Sequence, residues 1–222
     1  MKAMILAAGR GERMGNLTQN CPKPLLKVKG RCLIDWHLIK LCEAGFKDVV
    51  INVAYLSKEI IEFVGDGSKW GLNISISEEE QALETAGGIR QAIKYLGDKP
   101  FAAINADIFS DYNYKNLKNR SLQNKRMGHL VLVNNPEHNP KGDFGIMDDG
   151  ILTMNSERSL TFSGIAIYDP KFFSELTEGN KIKLAPILET AINKKFIQGE
   201  LFEGLWSDVG TPERLKMINL DE

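Results

Sequence analysis

The chain has 222 residues, of which 43% are hydrophobic, 26% charged and 8% aromatic, and its formal net charge at pH 7 is −1. These values are close to the averages of folded globular proteins, which excludes a disordered, collagen-like or disulfide-scaffold chain. A near-neutral charge gives no bulk attraction to nucleic acid, so no nucleic-acid partner is expected. The apolar runs, such as residues 4–8, are too short to cross a bilayer, which needs about 20 residues.

The N-terminal segment lacks the length and cleavage site of a secretory signal, so we expect a cytoplasmic protein. The three cysteines, Cys21, Cys32 and Cys42, are odd in number and lack C-x-x-C spacing, which argues against a zinc site and a disulfide framework. Six basic residues and one acidic residue lie within residues 10–31. This basic segment suits a small anionic ligand, although a solvated charged loop is an equally simple interpretation.

Strand-like and helix-like segments alternate through the first half of the chain. Short apolar runs predict strands over residues 3–8, 48–54, 72–77 and 101–105. Periodic apolar positions predict helices over residues 33–44 and 85–96, ended by Gly45 and Gly97, and a further helix capped by Ser57. This alternation is typical of βαβ units, so we expect an α/β fold with a mostly parallel sheet and helices on both faces.

Beyond about residue 126 the pattern changes to strand-like segments with few helices between them. Strands are predicted over residues 129–133, 144–147, 151–154 and 161–168, and Asp148-Asp149-Gly150 is a suitable hairpin turn between two of them. Two helices, residues 186–195 and 212–220, each carry a proline near the first turn. We therefore expect antiparallel strands that extend the sheet, together with a small lobe, within one domain over residues 1–222.

A glycine-rich segment, A-A-G-R-G-E-R-M at residues 7–14, follows the first predicted strand. Glycines at the carboxyl end of a strand let backbone N–H groups approach phosphate oxygens, and ligands bind at that edge of an open α/β sheet. A G-x-G-x-x-G dinucleotide loop would need glycine at Met14, and a P-loop would need a Gly-Lys-Ser/Thr ending that is missing. A phosphate-binding loop and a purely structural turn both remain open.

Pro22-Lys23-Pro24 places a single lysine between two prolines, which restrict the backbone around it. A lysine held in this way can neutralise charge on a phosphate, the main form of catalysis in phosphoryl-type transfer. Alone, such a segment is more often an exposed loop. Together with the upstream glycine and arginine residues, the functional interpretation is favoured.

Two aspartates follow predicted strands and form the third signal. Asp107 comes after residues 101–105, and Asp208 lies between Gly204-Leu205-Trp206-Ser207 and Val209-Gly210-Thr211. Mg²⁺ prefers one or two carboxylates together with phosphate oxygens and water, so two aspartates facing a phosphate loop would suffice. A turn-capping role for each aspartate is the alternative.

These signals belong to a series of motifs that runs through almost the whole chain in order. The series contains A-A-G-x-G-x-R-M at 7–14, P-K-P at 22–24, L-E-T-A-G-G at 83–88, N-A-D at 105–107 and W-S-D-V-G-T at 206–211. It resembles the motif series of the sugar-1-phosphate nucleotidylyltransferases. The short length, Gly142-Asp143-Phe144 and L-T-F-S-G at 160–164 are most similar to the uridylyltransferase branch that acts on N-acetylmuramate 1-phosphate.

The resemblance implies a Rossmann-like core with a nucleotide-binding half, residues 1–125, and a sugar-binding half, residues 126–222, with a small antiparallel lobe. The implied reaction joins UTP and N-acetylmuramate 1-phosphate into UDP-N-acetylmuramate and pyrophosphate, in peptidoglycan recycling. It implies Mg²⁺ as cofactor and a cytoplasmic monomer or homodimer whose partners are small-molecule substrates. No general base is needed, because the sugar-phosphate oxygen is already anionic, so positioning and charge neutralisation supply the catalysis.

Carried over residue by residue, the resemblance assigns a role to each motif. It makes Arg13 and Lys23 catalytic, on the departing pyrophosphate and on the α-phosphate, and makes Asp107 and Asp208 the ligands of Mg²⁺. The remaining substrate-binding residues are Gly9, Gly11 and Glu12 for the triphosphate, Glu79, Gly87 and Gly88 for the base and ribose, and Asn105, Asp143, Gly145 and Glu157 for the sugar, with Arg158 near its phosphate.

The chain departs from the family pattern at two places. Ala106 stands where glycine usually precedes the metal aspartate, and Gly15-Asn16 stands where the loop usually continues Arg-Pro. A guanylyltransferase for mannose 1-phosphate or heptose 1-phosphate and a non-catalytic nucleotide-sugar sensor remain alternative functions. The histidines His37, His129 and His138 match no motif and are interpreted as packing or surface residues.

Overall fold

The computed structural model describes residues 1–123 and 125–220, in which short apolar strands alternate with amphipathic helices. The strands are β1 (Ala3–Leu6), β2 (Lys27–Val28), β3 (Arg31–Cys32), β4 (Asp48–Val53), β5 (Asn73–Glu78), β6 (Phe101–Asn105), β7 (Ile108–Ser110), β8 (Gly128–Val133), β9 (Gly145–Ile146), β10 (Leu152–Thr153), β11 (Thr161–Tyr168), β12 (Ile197–Phe202) and β13 (Trp206–Asp208). The α-helices are α1 (Leu33–Glu43), α2 (Ser57–Val64), α3 (Glu84–Leu96), α4 (Lys115–Asn119), α5 (Leu184–Asn193) and α6 (Pro212–Leu220). Short 3₁₀ helices cover Glu12–Thr18, Lys23–Leu25, Ser68–Trp70 and Pro170–Phe173.

Seven strands form one sheet in the order β12-β8-β11-β6-β1-β4-β5. Within it β11 runs antiparallel to both of its neighbours and the other pairs are parallel, which confirms the predicted mostly parallel sheet. From β1 the chain proceeds to β4 and β5 on one side, and then returns to β6 on the other side of β1. The strand order therefore reverses between β1 and β6, where Leu6 is paired with Asn105.

The sheet is covered on both faces because its central strands β1 and β6 are apolar at every position except Asn105. Alternate residues point to opposite faces, so Ile5 joins one hydrophobic cluster and Met4 the other. The first cluster includes Leu38 of α1 and Ile60 of α2, and the second includes residues of α3 and α5, such as Ile89. This arrangement confirms the prediction of helices on both faces.

Small antiparallel pairs lie beside the main sheet. β9 and β10 form the hairpin whose turn was predicted at Asp148-Asp149-Gly150, and β2 pairs with β3. β7 pairs with β13, which brings Ile108 opposite Asp208 although 100 residues separate them in sequence. None of the helices in the described residues is both long and apolar enough to cross a membrane.

Most helices and strands predicted from the sequence are present in the structure, and the differences in their bounds and caps have local causes. The first strand ends at Leu6 because the backbone turns into the glycine-rich loop. The capping prediction for Ser57 is wrong, because Ser57 is the first residue of α2 and its hydroxyl donates to Oε1 of Glu78 at 2.7 Å. The sequence analysis missed β12, which runs parallel to β8 at the edge of the sheet, and it missed β7 and β13.

Candidate functional site

A cavity of ≈ 560 Å³ opens at the carboxyl ends of β1 and β6, where the strand order reverses. Its walls are formed by residues 6–13, Lys23, Pro24, Asn52, Ala82, Glu84, Thr85, Asn105, Ala106, Asp107, Lys181 and Gly210. Open α/β sheets bind ligands at such a reversal point. The cavity is therefore the candidate active site.

The structure brings together one part of the residue set predicted from sequence. The predicted residues that line the cavity are Gly9, Gly11, Glu12, Arg13, Lys23, Asn105 and Asp107. The others lie outside this lining, namely Glu79, Gly87, Gly88, Asp143, Gly145, Glu157 and Asp208.

The glycine-rich loop is shaped by a left-handed turn at Gly11, which has φ 69°. A Cβ atom at this position would lie 3.2 Å from Cγ2 of Thr18 and 3.3 Å from Cβ of Lys23. The hydroxyl of Thr18 donates to the carbonyl of Gly11 at 3.0 Å, which ties the ends of the loop together. The 3₁₀ helix that follows is broken at Gly15 (φ 56°, ψ −128°), and Arg13 stays exposed on the cavity wall.

Lys23 is held at the cavity wall by its two flanking prolines and by an aspartate. Pro22 is extended (φ −65°, ψ 143°), and Lys23 begins the 3₁₀ helix that follows it. The residue is only 8% exposed, and its Nζ donates to Oδ2 of Asp107 at 2.5 Å. The ammonium group of Lys23 therefore lies at the cavity wall, paired with a carboxylate.

The two aspartates predicted as metal ligands lie on adjacent segments. β7 and β13 are paired, and the N–H of Val209 donates to the carbonyl of Asp107 at 2.7 Å. No group of three or more His, Cys, Asp and Glu side chains is placed to hold a metal within the part of the chain that the structure describes. Two carboxylates on neighbouring backbones beside the glycine-rich loop fit the ligand preference of Mg²⁺, which takes one or two protein carboxylates together with phosphate oxygens and water.

A buried polar network supports the cavity wall. Oδ1 of Asn52 accepts from the N–H of Ala7 at 3.0 Å, and Nδ2 of Asn52 donates to Oε1 of Glu79 at 2.7 Å. Oε2 of Glu79 accepts from the N–H of Leu83 at 2.8 Å. Burial raises the pKa of the Glu79 carboxyl, and these two hydrogen bonds act against that effect. The network joins the ends of β1 and β4 to the loop before α3.

Gly87 and Gly88 lack side chains, which lets Asn180 and Glu79 lie close to the backbone of α3. A Cβ atom at Gly87 would lie 2.3 Å from the carbonyl oxygen of Asn180, and one at Gly88 would lie 2.6 Å from Oε1 of Glu79. The carbonyl of Ile182 accepts from the N–H groups of Ala86 and Gly87, at 3.0 and 3.2 Å. The segment 180–182 therefore packs on the first turn of α3, which brings Lys181 to the cavity wall.

The predicted sugar-binding residues divide between the cavity and the segments around the β9–β10 hairpin. Asn105 lines the cavity and lies against Gly164, where a Cβ atom would be 2.6 Å from its Nδ2. Both carboxylate oxygens of Asp143 are engaged: Oδ1 accepts from Nδ2 of Asn139 at 3.1 Å, and Oδ2 accepts from the N–H of Phe162 at 2.8 Å. Asp143 thereby fastens the segment before β9 to β11.

The other residues predicted to bind the sugar lie near the β9–β10 hairpin. A Cβ atom at Gly145 would lie 2.2 Å from Cβ of Ser156, so this glycine allows the segment carrying Glu157 to approach the hairpin. Glu157 and Arg158 are exposed, and Nη2 of Arg158 donates to Oδ1 of Asn134 at 3.4 Å.

Sequence reasoning missed two cations and one histidine at the site. Lys181 reaches the cavity from the second half of the chain, and Arg214 of α6 donates from Nη1 to Oδ1 of Asp208 at 2.6 Å. Nε2 of His138, interpreted from the sequence as a packing or surface residue, lies 3.0 Å from the same oxygen. The only signal that could have drawn attention to Arg214 is its position six residues after Asp208.

Comparison with known proteins adds independent information. The family model described as nucleotidyl transferase matches residues 2–222. An N-acetylmuramate alpha-1-phosphate uridylyltransferase from Neisseria meningitidis serogroup B is 48% identical over 97% of this chain and 96% of its own length. A protein of the same name from Caulobacter vibrioides is 32% identical over 95% of this chain and 92% of its own length. A mannose-1-phosphate guanylyltransferase catalytic subunit beta from Danio rerio is 28% identical over 96% of this chain and 62% of its own length.

Solved structures share the fold. A crystal structure of a candidate glucose-1-phosphate thymidylyltransferase from Bacillus anthracis superposes with a TM-score of 0.86 at 21% identity, covering 99% of this chain and 94% of that one. A crystal structure of HddC from Yersinia pseudotuberculosis gives a TM-score of 0.78 at 20% identity, covering 98% and 97%.

Proposed function

Because the chain belongs to the nucleotidyl transferase family, we propose that it transfers the uridylyl group of UTP to N-acetylmuramate 1-phosphate. The products are UDP-N-acetylmuramate and pyrophosphate. The observation that carries the proposal is the cavity in which Lys23 and Asp107 meet beside the glycine-rich loop. The choice of substrates is supported by the relative from Neisseria meningitidis, which aligns with nearly the whole chain.

The reaction is a displacement at the α-phosphorus of UTP. A phosphate oxygen of the sugar forms a bond to this phosphorus, and the bond to the oxygen that bridges to the β-phosphate breaks. The electron pair leaves with pyrophosphate. Because the attacking oxygen is already anionic, the chain has to position the reactants and neutralise their charge.

The residues on the cavity wall suit these two tasks. The loop at Gly9 and Gly11 offers backbone N–H groups to the triphosphate, and Arg13 lies where it can neutralise the departing pyrophosphate. Lys23 is assigned to the α-phosphate. Its stabilising effect is greatest in the transition state, because negative charge on the transferred and leaving groups then increases.

Asp107 and Asp208 are the proposed ligands of Mg²⁺. When bound, the ion would neutralise phosphate oxygens and help to hold the reacting groups in line. The aspartates fit this task because they supply hard oxygen ligands on neighbouring backbones. Ala106, where the family usually has glycine, is only 2% exposed, and its N–H donates to the carbonyl of Leu6 at 3.0 Å.

The remaining substrate contacts are assigned to two regions. Glu79, Gly87 and Gly88 are assigned to the base and ribose. They lie behind the part of the cavity wall that Asn52 and Thr85 form. We assign the sugar to the side of Asn105 and to the segments around the β9–β10 hairpin, with Asp143, Gly145, Glu157 and Arg158 as its proposed partners. These segments belong to residues 126–222, which we propose as the sugar-binding half, and residues 1–125 as the nucleotide-binding half. The product makes peptidoglycan recycling in the cytoplasm the proposed setting, with the protein acting as a monomer or homodimer.

The test is pyrophosphate release from a panel of nucleotides and sugar phosphates. UTP with N-acetylmuramate 1-phosphate should exceed GTP with mannose 1-phosphate by at least about tenfold in kcat/KM, which equals about 1.4 kcal/mol of transition-state discrimination. Equal or inverted rates would favour a guanylyltransferase, a candidate supported by the Danio rerio relative. Release with no pair would favour a nucleotide-sugar sensor.

A pair of lysine variants controls for general effects of charge. Lys23→Met removes the buried ammonium group, and Lys27→Met removes an exposed one on β2. Only the first variant should lose pyrophosphate release. Equal losses in both variants would show that the assay reports the charge of the segment and not the site.

A further inference from the structure

Arg214 is hydrogen-bonded to Asp208, one of the two aspartates that the proposed function assigns to Mg²⁺. The residue lies in the first turn of α6, and its Nη1 donates to Oδ1 of Asp208 at 2.6 Å. Its side chain is only 12% exposed. An arginine held in this way differs from a surface ion pair, whose long side chain stays mobile in solvent. The ion pair of Arg214 and Asp208 is therefore a fixed, largely buried feature of the site.

The guanidinium group also lies at the edge of the cavity. A Cβ atom at Gly210 would be 2.0 Å from Nη2 and 2.9 Å from Cζ of Arg214, so the group lies across a position that only glycine leaves open. Gly210 lines the cavity. The Arg214 guanidinium group therefore lies directly beside the cavity wall at Gly210.

His138 holds the guanidinium group in place. Its Nε2 lies 2.6 Å from Nη1 of Arg214 and 3.0 Å from Oδ1 of Asp208. Nη1 carries two hydrogens, so this one nitrogen has a donor for Asp208 and a second hydrogen on the side of His138. The segment before β9 therefore contributes to the Asp208 cluster.

Asp107, the other proposed metal ligand, is also paired with a cationic side chain. Oδ2 of Asp107 is occupied by Nζ of Lys23, as Oδ1 of Asp208 is occupied by Arg214. Each proposed metal ligand is thus neutralised by a cation of the chain itself. A positive charge within about 4–6 Å shifts the proton-binding equilibrium of a carboxylate by about 1–3 pKa units, and a metal cation at the same carboxylate meets electrostatic opposition of the same sign. The two cations therefore oppose the binding of a metal ion on its own.

We propose that Arg214 is an exchangeable counter-ion, which neutralises Asp208 in the metal-free enzyme and turns to a substrate phosphate when a divalent cation enters. The inference rests on the proposed function, which supplies the metal and the phosphates. The negative charge of the triphosphate balances the positive charges of the metal ion and of Arg214 and Lys23 once they have left the aspartates. Metal and nucleotide consequently strengthen the binding of each other by the same factor.

The first experiment measures binding of Mn²⁺ alone, by electron paramagnetic resonance of the free ion. Arg214→Met should tighten Mn²⁺ binding at least about tenfold relative to the unaltered enzyme, because the competing charge is lost. Arg214→Lys keeps the charge and should remain close to the unaltered enzyme. Lys216→Met is the matched control, since it removes an exposed positive charge from the same helix and should change nothing. Unchanged or weaker Mn²⁺ binding in Arg214→Met would overturn the inference.

The second experiment tests the phosphate-binding role by steady-state kinetics at saturating Mg²⁺. Arg214→Met should lose at least about tenfold in kcat/KM despite its tighter metal binding, and a merely structural residue would not produce these opposite changes. A rise in KM for UTP would assign the guanidinium group to the nucleotide, and a rise in KM for the sugar phosphate would assign it to that substrate. An unchanged kcat/KM would refute the phosphate-binding role.

Two further variants separate failure of this inference from failure of the metal assignment. Asp107→Asn and Asp208→Asn should both weaken Mn²⁺ binding if the aspartates are the ligands. If neither does, the metal site itself is wrong and the inference fails with it. If both do while Arg214→Met leaves Mn²⁺ binding unaltered, the metal assignment stands and only the counter-ion role is rejected.

Discussion

Replacing Glu79 by glutamine tests whether the buried network behind the cavity is a structural support. In the unaltered protein each carboxylate oxygen accepts one hydrogen bond, from Asn52 and from Leu83. A glutamine keeps the shape of the side chain but replaces one acceptor by an amide donor. One of the two buried donors, on Asn52 or Leu83, then faces another donor and loses its partner.

The expected size of the effect follows from this loss. Leaving a buried donor unsatisfied costs about 1–3 kcal/mol, and 1 kcal/mol shifts Tm by about 2–4 °C in a chain of this size, so Tm should fall by about 2–12 °C. Thermal unfolding measured by circular dichroism gives the shift. Glu80→Gln, at an exposed position on the same segment, is the control and should leave Tm unchanged. An unchanged Tm for Glu79→Gln with a large loss of UTP affinity would refute the reasoning and indicate direct contact with the nucleotide.

The same variant should alter the pH dependence of stability. Burial raises the pKa of Glu79 above its ordinary value, so the folded protein keeps this proton at a pH where the unfolded chain has lost it. The resulting stability is fully present below the ordinary pKa and is lost as the pH rises through the raised pKa. The difference in Tm between unaltered protein and Glu79→Gln should therefore widen as the pH falls. A constant difference would contradict this assignment.

Three other predictions address the site and the fold. Lys23→Ala should lower kcat by about 10² or more with a smaller change in KM, and a kcat equal to that of the unaltered enzyme in steady-state assays would make Lys23 a loop residue only. Asp107→Asn and Asp208→Asn should each raise the Mg²⁺ concentration for half-maximal rate, and the double variant should lose less than the product of the single losses; fully multiplicative losses would rule out a shared ion. Although burial acts in the opposite direction, hydrogen bonds from neighbouring side chains lower the pKa of Glu200 to about 2. Its ionised form therefore contributes stability above the ordinary pKa that is lost as the pH falls toward 2, and Glu200→Gln should flatten the acid side of a plot of Tm against pH.

Several features of this protein were determined by the sequence at short range. The strand over residues 101–105 and the strand over residues 161–168 match β6 and β11 in both bounds, because each contains an apolar run of four residues, 101–104 and 165–168, beside polar or turn residues. The conformations at Gly11 and Pro22-Lys23-Pro24 also follow from their own residues. Glycine accepts a left-handed φ, and proline restricts the backbone beside the lysine.

Other features were decided only by the tertiary structure. β7 and β13 have three residues each, too few to show a period, and their pairing depends on how the chain returns from the edge of the sheet. The contacts of Asn52 with Glu79 and of Lys23 with Asp107 depend on the order of the strands and on the course of the loops. Local propensity carries no information about which distant polar groups will meet. Packing selects those partners, because a polar group that becomes buried must find one.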